Sequence, residues 1–559
     1  MKFSEMPYSR VDIPAAIEEG KRFTDRAIKA GSGEEFFENH QACNQFFDHI
    51  YTQCTIARIR RDGDVTDRFY EEENEYYDEK LPELEAVVNE YQKVLVKTPY
   101  RKYMEERIGE VPFKSMELAM KAFDETLIPL LQEENALSTR YRKLIASAKV
   151  QWEGEELNLS LMRKYMRDQD RETRKRAWDQ FSRFFEEHRE ELDEIYDLLV
   201  KNRTKQAKML GFDNYVDMGY CRMNRNSYGK EDIASFREQI KRVYVPFAQK
   251  VHEIRRKRLG VDHLCYYDDG VYYPTGDPAP TGDPQEILAQ GQKMYAQMSK
   301  ETKEFFDTMM EMELFDVLGR KNKAAGGYMT ELPDYHVPFI FANFNGTSGD
   351  IDVITHECGH AFQGFLSGRD PITDHNRFLT METAEIHSMS MEFFTEPWME
   401  KFFGERSQEY LRMHLEDAVI FIPYGTMVDE FQHIVYENPE LTPEQRRQAW
   451  LRLEKEYRPY MDISGCAFME AGAYWQRQHH IYESPFYYID YVLAQLCAFQ
   501  YKIWMDRDRE GAWESYRKLC GLSASLFYPQ LLKEVGLKAP FQEGCVEEIV
   551  KELEKKLEV

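Results

Sequence analysis

Ile351-Asp-Val-Ile-Thr-His-Glu-Cys-Gly-His-Ala-Phe-Gln-Gly-Phe-Leu-Ser367 is the stretch on which the reading of this chain turns. No proline falls between Ile351 and Arg369, and Ile351, Ile354 and Phe362 mark an apolar stripe, so the stretch reads as a helix. His356 and His360 stand four apart on one helix face, where both imidazoles can reach a single metal ion. Glu357 follows the first histidine directly. It can stand beside the metal's open position, where a carboxylate takes a proton from water. Cys358 points off the histidine face and reads as a small residue beside Gly359.

A hydrolytic zinc has three protein ligands and one exchangeable position. The next acidic candidates are Glu382, Glu385 and Glu392, with His387 among them. Read as a helix, Glu382, Glu385, Met389 and Glu392 share one face. A row of carboxylates repels itself unless it faces a cation or the imidazole N–H groups of metal ligands. On most helices such a row is a solvated face. Here Met389 sits inside it, and Phe393, Phe394 and Trp398 follow, which points to a buried helix.

These motifs together resemble the thimet-oligopeptidase-like zinc metallopeptidases, above all their bacterial branch, oligoendopeptidase F and the Pz-peptidases. The resemblance rests on HExxH followed, 25 residues after its second histidine, by a glutamate. It extends to Gly326-Gly327-Tyr328, to Pro338-Phe-Ile-Phe-Ala-Asn-Phe-Asn-Gly-Thr347 and to His480-Ile-Tyr-Glu-Ser-Pro-Phe-Tyr-Tyr-Ile-Asp-Tyr491. It implies Glu385 as the third ligand beside His356 and His360, with one Zn²⁺ per chain. It further implies a mainly α fold, two helical lobes enclosing a deep substrate channel, with a small β-sheet beside the zinc site. Residues 1–170 would form a helical region covering the channel and 171–559 the catalytic region.

A peptide carbonyl under attack develops negative charge that neutral donors stabilise. Tyr488 and Tyr491, three apart, project their hydroxyls from one helix face, and His480 lies shortly upstream. The resemblance gives His480, Tyr491 and Tyr488 contact with the transition state. The expected activity is zinc-dependent endopeptidase cleavage of short oligopeptides, not folded proteins, with Glu357 as the base. A zinc carboxypeptidase of related helical fold is the alternative, and would need a fixed positive group near the metal. A non-catalytic peptide-binding protein is the other, and would have no need of Glu357.

Composition narrows the setting. Lys+Arg 73 against Asp+Glu 99 gives a net charge of −26, which argues against nucleic acid or an anionic membrane as partner. No apolar run approaches the roughly 20 residues that cross a bilayer. The first residues show no secretory pattern, and nine cysteines without CxxC spacing read as reduced thiols, so a cytoplasmic location is expected.

Helical periodicity dominates the rest. Leu84, Val87, Val88, Tyr91, Val94 and Leu95 form one stripe, and Leu192, Ile195, Tyr196 and Leu199 another that runs to Leu210 and stops at Gly211. The segment 268–284, with four prolines in its last eleven residues, reads as an ordered loop. The one strand signal runs from Val337 to Phe344. It is expected either to pair with a peptide main chain as an edge strand, with Gly326 and Gly327 admitting close backbone approach, or to be a buried strand of a small sheet.

Overall fold

Each apolar stripe read from the sequence is buried along a helix in the computed structural model, which describes residues 1–324 and 326–559. Leu84, Val87, Tyr91 and Leu95 are the inward face of Arg68–Val96. Leu192, Ile195, Tyr196 and Leu199 are wholly buried along Arg189–Met209. That helix gives way at Leu210, and Gly211 follows at φ 82°, the left-handed conformation that commonly ends helices. Between Tyr266–Asp268 and the helix Pro284–Met298 the chain is not helical, as its prolines require. Val271 and Tyr272 are buried within that loop, which is therefore ordered by packing. Asp283 starts the next helix by accepting from the amides of Gln285 and Glu286.

The fold is mainly α with little sheet. Strands β1 (Val150–Trp152) and β2 (Glu155–Leu157) form a small antiparallel hairpin. A second sheet has the order β3-β5-β4, from β3 (Phe315–Asp316), β4 (Tyr328–Leu332) and β5 (Val337–Phe341). The expected strand is thus present but central, not at an edge. β3 pairs with it in parallel and β4 antiparallel, and all five of its residues are buried. Val-Pro-Phe-Ile-Phe is a continuous apolar run, the signature of a strand covered on both faces. Pro338 fits because β3 pairs only with Ile340 and Phe341, beyond the proline. Gly327 answers to the sheet: a Cβ there would lie 3.2 Å from the carbonyl oxygen of Phe341.

Packing divides the chain into two units, each gathered from three stretches. One comprises Met1–Glu117, Pro278–Ser407 and Trp504–Leu537; the other comprises Leu118–Asp277, Gln408–Ile503 and Lys538–Val559. The first unit holds the three-stranded sheet and a core of Phe23, Phe36, Tyr91, Met104 and Phe113. Among the described residues, no helix is long and apolar enough to cross a membrane.

Candidate active site

Residues 349–367 form one continuous helical run. It begins as Gly349–Asp352, widens to a π-helical turn over Val353–Glu357 and continues as the α-helix Cys358–Ser367. Such wide turns are frequent at functional sites, and this one carries His356 and Glu357. Tyr295 anchors it, donating from Oη to the carbonyl of Ile354 at 2.8 Å. The second helix, Met381–Phe394, carries Glu382, Glu385, His387 and Glu392.

The two helices touch at Gly359, where a Cβ would stand 2.6 Å from both the His387 carbonyl oxygen and Ser388 Cα. Only glycine permits that approach, and it brings Glu385 under the histidines. His356 Nε2 and His360 Nε2 each lie 3.5 Å from Glu385 Oε2. One donor atom from each of the three residues falls within 4.8 Å of the others. Ser388 Oγ donates to Glu385 Oε2 at 3.0 Å and fixes the carboxylate. Behind the cluster, His356 Nδ1 faces Glu392 Oε1 at 2.6 Å. Because the carboxylate accepts, Nδ1 carries a proton, and Nε2 is the nitrogen turned toward Glu385.

Burial alone would push the Glu385 carboxyl up, but the charges and hydrogen bonds of His360 and His356 outweigh it and hold it well down. Burial likewise works against a charged His356, yet Glu385 and Glu392 raise its pKa well above the ordinary value. The cluster thus attracts positive charge. Glu357 is partly exposed beside it. Cys358 is fully buried, its thiol pushed up by burial, and it stands outside the cluster, as its helix position implied. His387 is also outside. Burial, then the charge of His360, lowers its pKa to about 3, and its carbonyl accepts from Tyr516 Oη at 2.7 Å.

The other unit brings His480, Tyr488 and Tyr491 together. The ring centre of His480 is 5.1 Å from Tyr488 and 6.0 Å from Tyr491, and the two tyrosine rings are 5.7 Å apart. His480 lies on the short helix His479–Glu483 and the tyrosines at the start of Tyr488–Met505. All three are partly exposed while Ile489 and Asp490 are buried, so the tyrosines do share an accessible face. Gln478 Nε2 donates to His480 Nδ1 at 2.7 Å. The amide is oriented by Tyr424, whose Oη donates to Gln478 Oε1 at 3.0 Å and itself receives Arg477 Nη2 at 3.5 Å. Tyr482, by contrast, is packing: fully buried and stacked on Tyr141 with ring centres 4.0 Å apart.

Family comparison follows the same lines. The model of the Peptidase M3 N-terminal domain matches residues 3–123, and that of Peptidase family M3 matches 164–278 and 292–551. The chain belongs to peptidase family M3. It is a metallopeptidase. Among solved structures, Pz-peptidase A with an inhibitor is 44% identical, with a TM-score of 0.93 over 100% of this chain and 99% of that one. A Bacillus anthracis structure assigned as oligoendopeptidase F is 41% identical, with a TM-score of 0.89 over 100% and 98% of the two chains. No curated protein matches the chain.

The donor set of this M3 peptidase fits a zinc-class ion: two imidazole lone pairs and one carboxylate converging, with a carboxylate behind the first imidazole. Sequence reading missed two supports of the tyrosine cluster. Gln478, which orients His480, is one. The other is the fully buried pair of Arg225 and Asp490 at 3.0 Å. Arg225 also donates to the carbonyl of Phe486, whose φ of 69° marks the turn leading into Tyr488. Neither has a spacing signal that could have disclosed it.

Proposed function

We propose that this M3 peptidase is a zinc-dependent endopeptidase of short oligopeptides. The observation that carries the reading is the convergence of His356 Nε2, His360 Nε2 and Glu385 Oε2 beside Glu357. Zinc held by these three would act as a Lewis acid toward the scissile carbonyl and make water more acidic. Glu357 accepts a proton from the attacking water and returns it to the leaving amine. Glu392 holds His356 in the tautomer that offers Nε2. His480 and Tyr491, with Tyr488, donate to the oxygen that gains charge in the transition state. Burial keeps the Tyr488 hydroxyl protonated, as a neutral donor must be.

Oligopeptides as substrates are supported by the likeness to Pz-peptidase A and oligoendopeptidase F. A net charge of −26 makes nucleic acid an unsuitable partner. Nine cysteines without a disulfide fit a reducing, cytoplasmic setting. The test is digestion of a peptide library blocked at both ends, read by mass spectrometry with and without chelator. Internal cleavage that chelator abolishes and zinc restores is expected. A carboxypeptidase would leave blocked peptides intact, and that result would refute the endopeptidase reading.

A further inference from the structure

We propose that His263, Cys265 and Asp462 form a second metal site, for a borderline-soft divalent cation of the zinc class. The three residues lie in one unit and each offers a ligand atom, all within 4.8 Å of one another. His263 Nε2 is 3.2 Å from Asp462 Oδ2, and Cys265 Sγ is 4.0 Å from the same oxygen. Zinc–ligand bonds of about 2.0–2.3 Å in a tetrahedron place neighbouring N, O and S ligands about 3.3–3.7 Å apart. The observed separations bracket that range within a few tenths of an ångström.

The backbone holds the set in place. Tyr266 N donates to the carbonyl of Asp462 at 2.9 Å, joining the two segments as an isolated parallel bridge. His263 and Cys265 are two residues apart, and both turn a ligand atom toward Asp462 Oδ2. Ser464 N donates to Asp462 Oδ1 at 2.9 Å, which leaves Oδ2 turned toward the histidine and cysteine. An anchored second oxygen is what orients a ligating carboxylate.

Arg171 is the positive group nearby. Its Nη2 donates to the His263 carbonyl at 3.2 Å and lies 3.7 Å from Cys265 Sγ. Its charge is partly offset by Asp268, which accepts from it through Oδ1 at 3.1 Å and Oδ2 at 2.7 Å and is shared with Arg174 at 2.8 Å. The His263 side chain is 65% exposed, so an ion reaches the site from solvent. A mixed N, S and O set selects zinc, cobalt or cadmium over the oxygen-seeking magnesium and calcium. Three protein ligands leave a fourth position for water.

The donor set of His356, His360 and Glu385 includes no sulfur, so a thiolate signal reports His263, Cys265 and Asp462 alone. Cobalt(II) added to enzyme carrying a single equivalent of zinc per chain should bind with one equivalent and give the near-ultraviolet thiolate-to-cobalt charge-transfer band. Added zinc should bleach that band. Both Cys265→Ser and His263→Ala should lose it while peptide turnover stays unchanged. His263 is exposed, so its variant tests the site without disturbing the core. Absence of the band in the unaltered enzyme, or its persistence in Cys265→Ser, overturns the proposal.

Discussion

His356 and His480 differ in what stands opposite Nδ1: a carboxylate oxygen of Glu392 at 2.6 Å in one, the amide nitrogen of Gln478 at 2.7 Å in the other. A carboxylate accepts, so His356 is protonated on Nδ1, which leaves Nε2 as the nitrogen able to bind a metal. An amide nitrogen donates, so His480 presents its lone pair at Nδ1 and its proton at Nε2. The first tautomer suits a metal ligand and the second a hydrogen-bond donor, made from one side chain by the choice of Glu or Gln behind it. The supports differ in kind as well. The ligand helices are fixed by backbone contact at Gly359, the tyrosine cluster by a relay of Arg477, Tyr424 and Gln478.

The largest expected effect separates chemistry from metal binding on the His356 side. Glu357→Gln should retain zinc and lose turnover by about 10²–10⁴-fold, the range for removing a general base. Zinc content measured alongside steady-state rates checks this, and near-normal turnover would remove Glu357 from the mechanism. On the His480 side, Tyr491→Phe keeps the ring and its packing and deletes one donor. Its kcat should fall about 10²–10³-fold with KM and zinc content nearly unchanged. Tyr488→Phe measured beside it apportions the role between the two hydroxyls. Wild-type kcat in both variants would leave His480 as the only donor of the cluster.

How far the sequence could be read follows the same line between backbone spacing and side-chain relay. His356, Glu357 and His360 were legible because helical periodicity alone places them. Glu385 was chosen over Glu382 and Glu392 by family resemblance; its physical basis is the close approach at Gly359, which needs the partner helix to be seen. The mainly α fold was legible from long apolar stripes, but β1 to β4 are two to five residues long and carry too few positions for a period. β5 is legible from its aromatic and branched residues, but whether it lies at an edge or inside a sheet depends on β3 and β4, which are too short to be read. Gln478 could not be found at all. Its orienting partner Tyr424 lies 54 positions away, and Arg225 lies 265 positions from Asp490.

Reversing the tautomer of His480 tests the comparison directly. Gln478→Glu puts an acceptor opposite Nδ1, so the proton moves there and Nε2 becomes a lone pair. Loss of that donor should lower kcat about 10²-fold, with zinc content unaffected because no metal ligand is touched. A stopped assay at saturating peptide, with metal analysis on the same sample, checks it. Unchanged kcat would mean that the relay from Tyr424 does not set the proton on His480.

The smallest effect is the mirror change, Glu392→Gln. Glutamine's carbonyl oxygen still accepts from His356 Nδ1, so the tautomer survives and only the negative charge behind the imidazole is lost. That charge makes Nε2 more basic and offsets the cation in front of it, and removing such a partner weakens metal binding about 10–100-fold. Glutamine keeps the hydrogen bond, so the loss should lie toward the lower end. At saturating zinc the site is full in both proteins, and kcat should differ only a few-fold, because Glu392 faces His356 Nδ1, on the side of the ring away from Nε2. Zinc titration against a competing chelator measures the affinity, and rates at high and low free zinc separate occupancy from chemistry. A variant with normal affinity but depressed kcat at saturating zinc would show that Glu392 acts on the reaction and not on His356, and would end the parallel with Gln478.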